Sequence, residues 1–225
     1  MISRYKLPAA ALSIAATLFS AAGIVAAPVP ARLEPASNLV PVQARNLDTG
    51  AQIVLLRGLA NVFSRGMDEM SATLTGHGFS PRLINHRGWQ NAADTLVQNY
   101  RNGNTSPIIV IGHSLGANAA FRIAKRLQSQ NIPVAYLAVF DPTQALAVPA
   151  NVDTFVNFYQ NNGMGRPARF SPTRHKSKVN LNLTTSPGLT HTNIDQSRRL
   201  QDIVINRILQ ITERPQDRRQ QNRRR

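Results

Sequence analysis

Apolar residues recur along this chain in two rhythms. Unbroken runs fall at Gln52-Ile-Val-Leu-Leu56, Ile108 to Ile111 and Val134-Ala-Tyr-Leu-Ala-Val-Phe140. Runs this short and rich in β-branched residues read as strands covered on both faces. Arg82-Leu-Ile84 is a shorter strand, and Thr154 to Tyr159 and Val179 to Leu183 alternate as half-covered strands do. Between them the spacing turns helical. Met67, Met70 and Leu74 mark one helix, with Asp68 and Glu69 expected in its first turn. Trp89, Ala92, Ala93, Leu96, Val97 and Tyr100 mark a second, and Ala119, Ala120, Ile123, Ala124 and Leu127 a third. Leu200, Ile203, Val204, Ile208 and Ile211 mark the last. Strands alternating with helices predict an α/β fold: a mostly parallel sheet of about six strands with helices on both faces. No repeat is visible, and no insertion is long enough for a large lid domain. The polar stretch from Gln160 to Ser177 reads as a loop.

The ends of the chain depart from this pattern. Arg4 and Lys6 precede an uncharged, Ala- and Leu-rich run, and Val29-Pro30-Ala31 offers a cleavage site before Arg32. Residues 1–31 are therefore expected to be a signal peptide, or an anchor if uncleaved, which sends the protein to the periplasm or outside the cell. Residues 32–50 follow as a proline-containing linker, 51–212 as the folded domain and 213–225 as a basic tail expected to be disordered. The formal charge of +15 is concentrated in that tail, which ends in Arg223-Arg224-Arg225. A tail of this kind suits an anionic membrane surface. No nucleic-acid motif accompanies it, so no specific nucleic acid is expected. The chain has no cysteine, which excludes disulfides and thiolate chemistry. His77 and His86 have no carboxylate cluster beside them, so no metal or other cofactor is expected.

The chemistry concentrates at Gly112-His113-Ser114-Leu115-Gly116, which matches G-x-S-x-G between a strand and a helix. In that context Ser114 is a candidate nucleophile on a sharp turn, with flanking glycines that let strand and helix approach. The alternative is a tight turn whose serine caps the helix. A serine hydroxyl needs a base, a carboxylate to orient the base, and N–H donors for an oxyanion. In parallel-sheet hydrolases the order is Ser, acid, His. After Ser114 only His175 and His191 remain, and His191 lies between the final strand and the final helix, where a base is needed. His175 sits among basic residues and is the fallback. The acid must be Asp141 or Asp153. Asp141 closes a buried strand, whereas Asp153 precedes one and should point to the opposite end of the sheet. Leu115 supplies one oxyanion N–H by construction. Leu59, then Gly58, are the candidates for the second. His113, inside the motif, reads as a packing or scaffolding residue.

These residues resemble the α/β-hydrolase superfamily in element order from Gln52 to Ile211, most specifically at Gly112 to Gly116. Arg57 to Ser64 and Asn118 look like the small cap-less bacterial hydrolases described as thioesterase- or lipase-like. The resemblance implies hydrolysis of a carboxylic ester or thioester by a Ser-Asp-His triad, on a small-molecule or lipid ester. Lipases of this superfamily often carry His-Gly in the oxyanion loop, where this chain has Arg57-Gly58. Two other readings compete: a non-catalytic cell-envelope binding protein on the same scaffold, and an acyltransferase using the same triad.

Overall fold

The computed structural model describes residues 47–59, 65–170 and 177–213. The expected targeting segment, most of the linker, His175 and the expected tail beyond Glu213 lie outside the described residues. The predicted α/β fold is present as one six-stranded sheet, all parallel, in the order β2-β1-β3-β4-β5-β6. The strands are β1 (Gln52–Arg57), β2 (Arg82–Asn85), β3 (Ile108–His113), β4 (Val134–Phe140), β5 (Val152–Tyr159) and β6 (Ser177–Asn182). The helices are α1 (Arg65–Gly76), α2 (Trp89–Arg101), α3 (Leu115–Gln128) and α4 (Arg198–Thr212). Among the described residues no connection carries a separate cap domain.

Side chains alternate across a strand, so an unbroken apolar run supplies two cores at once. Val54, Leu56, Val110, Leu137 and Val139 face α2 and α3. Ile53, Leu55, Ile109, Ile111, Ala138 and Phe140 face α1 and α4. Each Val, Leu, Ile or Phe side chain among them, buried fully, favours folding by about 1.5–3 kcal/mol.

Three boundaries differ from the sequence reading. Helix α1 starts at Arg65, so Asp68 is in its first turn and Glu69 falls beyond it. Strand β5 begins two residues earlier than Thr154, because Val152 pairs with Val134 at the start of β4. Asp153 is thus inside β5, at the N-terminal end of the sheet. Strand β6 runs from Ser177 to Asn182 rather than from Val179 to Leu183. It stops where the Asn182 side chain accepts from the Thr184 N–H at 3.0 Å and starts a turn.

The topology places the site. The chain steps from β1 outward to β2, then crosses to β3 and moves the other way. The crevice between β1 and β3, at their C-terminal ends, is therefore the switch point where open α/β sheets bind ligands. Register pairs His113 of β3 with Phe140 of β4. The residues after them, Ser114 and Asp141, leave the sheet side by side.

Candidate active site

Ser114 occupies φ 57°, ψ −121°, a conformation that an L-residue adopts at a cost of about 1–3 kcal/mol. The flanking glycines show why the turn tolerates it. A Cβ on Gly112 would lie 2.3 Å from the Gly116 carbonyl oxygen, and one on Gly116 would lie 2.1 Å from the Leu56 oxygen. Start of α3, end of β3 and end of β1 thus meet with no room for a side chain. The Ser114 side chain makes no capping bond to α3. Its Oγ instead lies 2.9 Å from Nε2 of His191, so the capping alternative does not describe this turn.

His191 continues the chain of contacts: its Nδ1 is 2.9 Å from Oδ2 of Asp141. A carboxylate only accepts, so Nδ1 carries the hydrogen and Nε2 presents its lone pair to the Ser114 hydroxyl. Asp141 is buried and also has positive φ, 48°. Its second oxygen accepts the Gln160 N–H at 2.7 Å. A Cβ on Gly165 would lie 2.0 Å from that oxygen. The carboxylate is held between backbone on one side and imidazole on the other.

The loop that carries His191 is clamped. Gln160 donates from Nε2 to the Leu189 carbonyl at 2.9 Å. Asn193 accepts from the Thr190 N–H at 2.7 Å and donates to the Gly188 carbonyl at 3.0 Å. His113 donates from Nε2 to the carbonyl of His191 itself, at 2.7 Å. The sequence reading assigned His113 to scaffolding, and the scaffold it supports is the His191 backbone. Gln160 was not singled out, because a glutamine after a strand gives no signal of the loop it will hold.

Leu115 opens α3, so its N–H has no acceptor within the helix. On the β1 side, the Gly58 carbonyl accepts from Nδ1 of His86 at 3.1 Å. The Leu59 side chain is exposed. Arg57 pairs through Nε and one terminal nitrogen of its guanidinium with the two carboxylate oxygens of Asp68 of α1. That bond holds the Asp68 carboxyl below its ordinary range. Among the described residues no group of three or more His, Cys, Asp or Glu is placed to hold a metal ion.

The fold is an all-parallel α/β sheet with helices on both faces. Residues 70–153 match the family model of the thioesterase domain, a span that contains Ser114 and Asp141 and ends before His191. Over that span the chain is similar to thioesterase domains. Among solved structures, similar ones include a type II thioesterase, YbtT, from the yersiniabactin biosynthetic pathway. It has 10% identity and a TM-score of 0.46, over 75% of this chain and 96% of that one. A YdeN-like hydrolase from Pectobacterium atrosepticum has 17% identity and a TM-score of 0.43, over 72% and 91%. The type II thioesterase BorB of the borrelidin cluster has 12% identity and a TM-score of 0.42, over 70% and 92%. A comparison with curated protein sequences returned no match.

Proposed function

We propose that the protein is a serine hydrolase that cleaves a carboxylic ester or thioester through an acyl-enzyme. The observation that carries this reading is the unbroken series Ser114 Oγ, His191, Asp141, with both links at 2.9 Å. His191 takes the Ser114 proton as Oγ attacks the carbonyl carbon, and gives it to the departing alcohol or thiol. A water, deprotonated by the same imidazole, then releases the acid and restores Ser114. Asp141 fixes the ring tautomer and offsets the imidazolium charge that develops. The N–H groups of Leu115 and Leu59, with Gly58 as the alternative to Leu59, receive the oxyanion. Ser114 sits at the N-terminus of α3, where the helix dipole favours that negative charge.

The test is fluorophosphonate labelling of the full chain beside Ser114→Ala and His191→Ala. Labelling of the parent that both substitutions abolish is expected. A folded parent that stays unlabelled would remove the hydrolase mechanism. Thioesters and esters of matched acyl length then separate the substrate classes. Thiol release can be read with a disulfide reagent at no background from the protein, because the chain has no cysteine.

A further inference from the structure

Behind His191 lies a second imidazole–carboxyl pair that the proposed reaction does not use. His113 and Asp195 are both buried. His113 Nδ1 lies 3.8 Å from Asp195 Oδ1, and His113 Nε2 donates to the His191 carbonyl at 2.7 Å. The imidazoles of His113 and His191 are 5.2 Å apart between ring centres. Asp195 belongs to the short 3-10 turn Ile194–Gln196 that follows the His191 loop. The pair therefore joins the far side of the base to the body of the sheet.

The packing around Asp195 is close. A Cβ on Gly66, in the first turn of α1, would lie 2.0 Å from the Asp195 carbonyl oxygen and 2.8 Å from Oδ2. Gln201 of α4 donates from one Nε2 to the Asp195 carbonyl at 2.8 Å and to Glu69 of α1 at 2.9 Å. Helices α1 and α4 thus grip the turn from both sides. Neither carboxyl oxygen of Asp195 makes a close hydrogen bond among the described residues, although the N–H groups of Gly66 and Met67 at the start of α1 face it. A buried carboxyl placed without a close partner needs a reason, since burying an unpaired polar group costs about 1–3 kcal/mol.

Proton accounting supplies one. The His191 carbonyl only accepts, so His113 Nε2 carries a hydrogen, and on the neutral ring Nδ1 is an acceptor. An ionised Asp195 would set lone pair against lone pair across 3.8 Å. A protonated Asp195 removes that opposition. We propose that His113 and Asp195 are a positioning pair for the base: His113 holds the His191 carbonyl through Nε2, and a neutral Asp195 carboxyl, packed 3.8 Å from Nδ1, keeps that face of the ring free of a second negative charge. Burial agrees with this state at both ends. It pushes the Asp195 carboxyl up to about 7 against the N–H groups of Gly66 and Met67, with Glu69 adding to the rise. It pushes the His113 imidazole down to about 4; its bond to the His191 carbonyl and the Asp141 charge raise it, while the charge of His191 adds to the fall. The charged and titratable groups facing the pair are therefore Glu69 from α1 and His191 and Asp141 from the site.

The proposal rests on His191 acting as the base, and the experiment separates the two. Hydrolysis of p-nitrophenyl butyrate by the full chain is followed from pH 5 to 9 at the isosbestic point of p-nitrophenol. In the parent, kcat falls on the alkaline side as Asp195 loses its proton. Asp195→Ala lowers kcat by about 10- to 100-fold, the effect expected of a displaced base, with little change in KM. Asp195→Asn keeps a neutral group facing Nδ1; it lowers kcat less than Asp195→Ala and removes the alkaline fall. An alkaline fall that persists in Asp195→Asn, or an Asp195→Ala enzyme with parental kcat, would overturn the proposal. The second readout needs no turnover: nitrogen shifts of histidine-labelled Ser114→Ala protein. The His113 Nδ1 shift is expected to follow the Asp195 titration, with a midpoint near 7, in this background and to be flat over that range once Asp195→Asn is added. A pair that titrates in a protein inert to fluorophosphonate would defeat the hydrolase reading and leave the pair standing. A hydrolase whose His113 shifts ignore Asp195 would do the reverse.

Discussion

His113 and Asp195 carry opposite pH dependences of stability, and removing either one should expose the other. His113 is held near 4 in the folded protein against an ordinary 6.5. Between those values the unfolded chain binds the His113 proton and the folded chain does not, so this group makes stability rise with pH. Asp195 is held near 7 against an ordinary 3.8. Over most of the same window the folded chain binds the Asp195 proton and the unfolded chain does not, so stability falls as pH rises. From pH 4 to 6.5 each spans about two and a half units, or about 3 kcal/mol at 1.36 kcal/mol per unit. The two contributions cancel because both states hold one proton on this pair. The main cause of each shift is burial rather than the partner, so deleting one residue leaves the other's slope in place.

The measurement is urea unfolding at pH 4, 5 and 6.5, followed by the single tryptophan, Trp89, which packs against the core. Each variant is compared with the parent at the same pH, which removes the titration common to all. Relative to the parent, Asp195→Asn should gain about 3 kcal/mol of stability from pH 4 to 6.5, and His113→Gln should lose about 3 kcal/mol. The signs matter more than the sizes. Two variants that drift in the same direction, or that both track the parent, would refute the assignment of a neutral imidazole facing a neutral carboxyl.

Two further substitutions test the geometry around Asp141 and the β1 loop. Gly165→Ala places a methyl where the Asp141 carboxylate sits, at 2.0 Å from Oδ1. It should lower kcat by about 100-fold by moving that carboxylate off His191, whereas Gly163→Ala, which meets nothing within 4 Å, should match the parent in ester hydrolysis. His86 fixes the Gly58 carbonyl at 3.1 Å, and in a planar trans peptide the Leu59 N–H points opposite to that carbonyl. His86→Ala should therefore slow turnover by about tenfold with KM little changed, short of the larger loss that follows outright removal of an oxyanion donor; a fall confined to KM would sever His86 from the oxyanion.

The sheet and the three residues in line at the C-terminal ends of its strands were legible because each leaves a local mark. Short, β-branched apolar runs mark covered strands, and a serine flanked by glycines between a strand and a helix marks a tight turn. The strand end then places Asp141, and chain order leaves His191. What holds these residues was not legible, because it depends on approaches between distant segments. The His113 contact to His191 joins residues 78 positions apart. Gly66 and Gly165 look like ordinary loop and helix-start glycines until the Asp195 and Asp141 atoms that would strike a side chain are in view. Gln160 and Asp195 sit in polar stretches whose composition predicts solvent exposure, yet both are buried.

Asp195 shows why composition misleads there. Alone in sequence, Ile194-Asp-Gln196 is a polar helix entrance, and an acid near such a point is usually solvated. Here α1 and α4 close over the turn, and only Gly66 lets α1 approach so near. Once water is excluded, the carboxyl must find a charge, find a donor or hold a proton. The nearby acid, Glu69, opposes ionisation, and His113 has committed its Nε2 hydrogen to the His191 carbonyl. The Gly66 and Met67 N–H groups offset only part of that cost, and burial still leaves the carboxyl holding a proton. The same packing that hides Asp195 from a reading of the sequence makes it an acid whose protonation state the base of this site can feel.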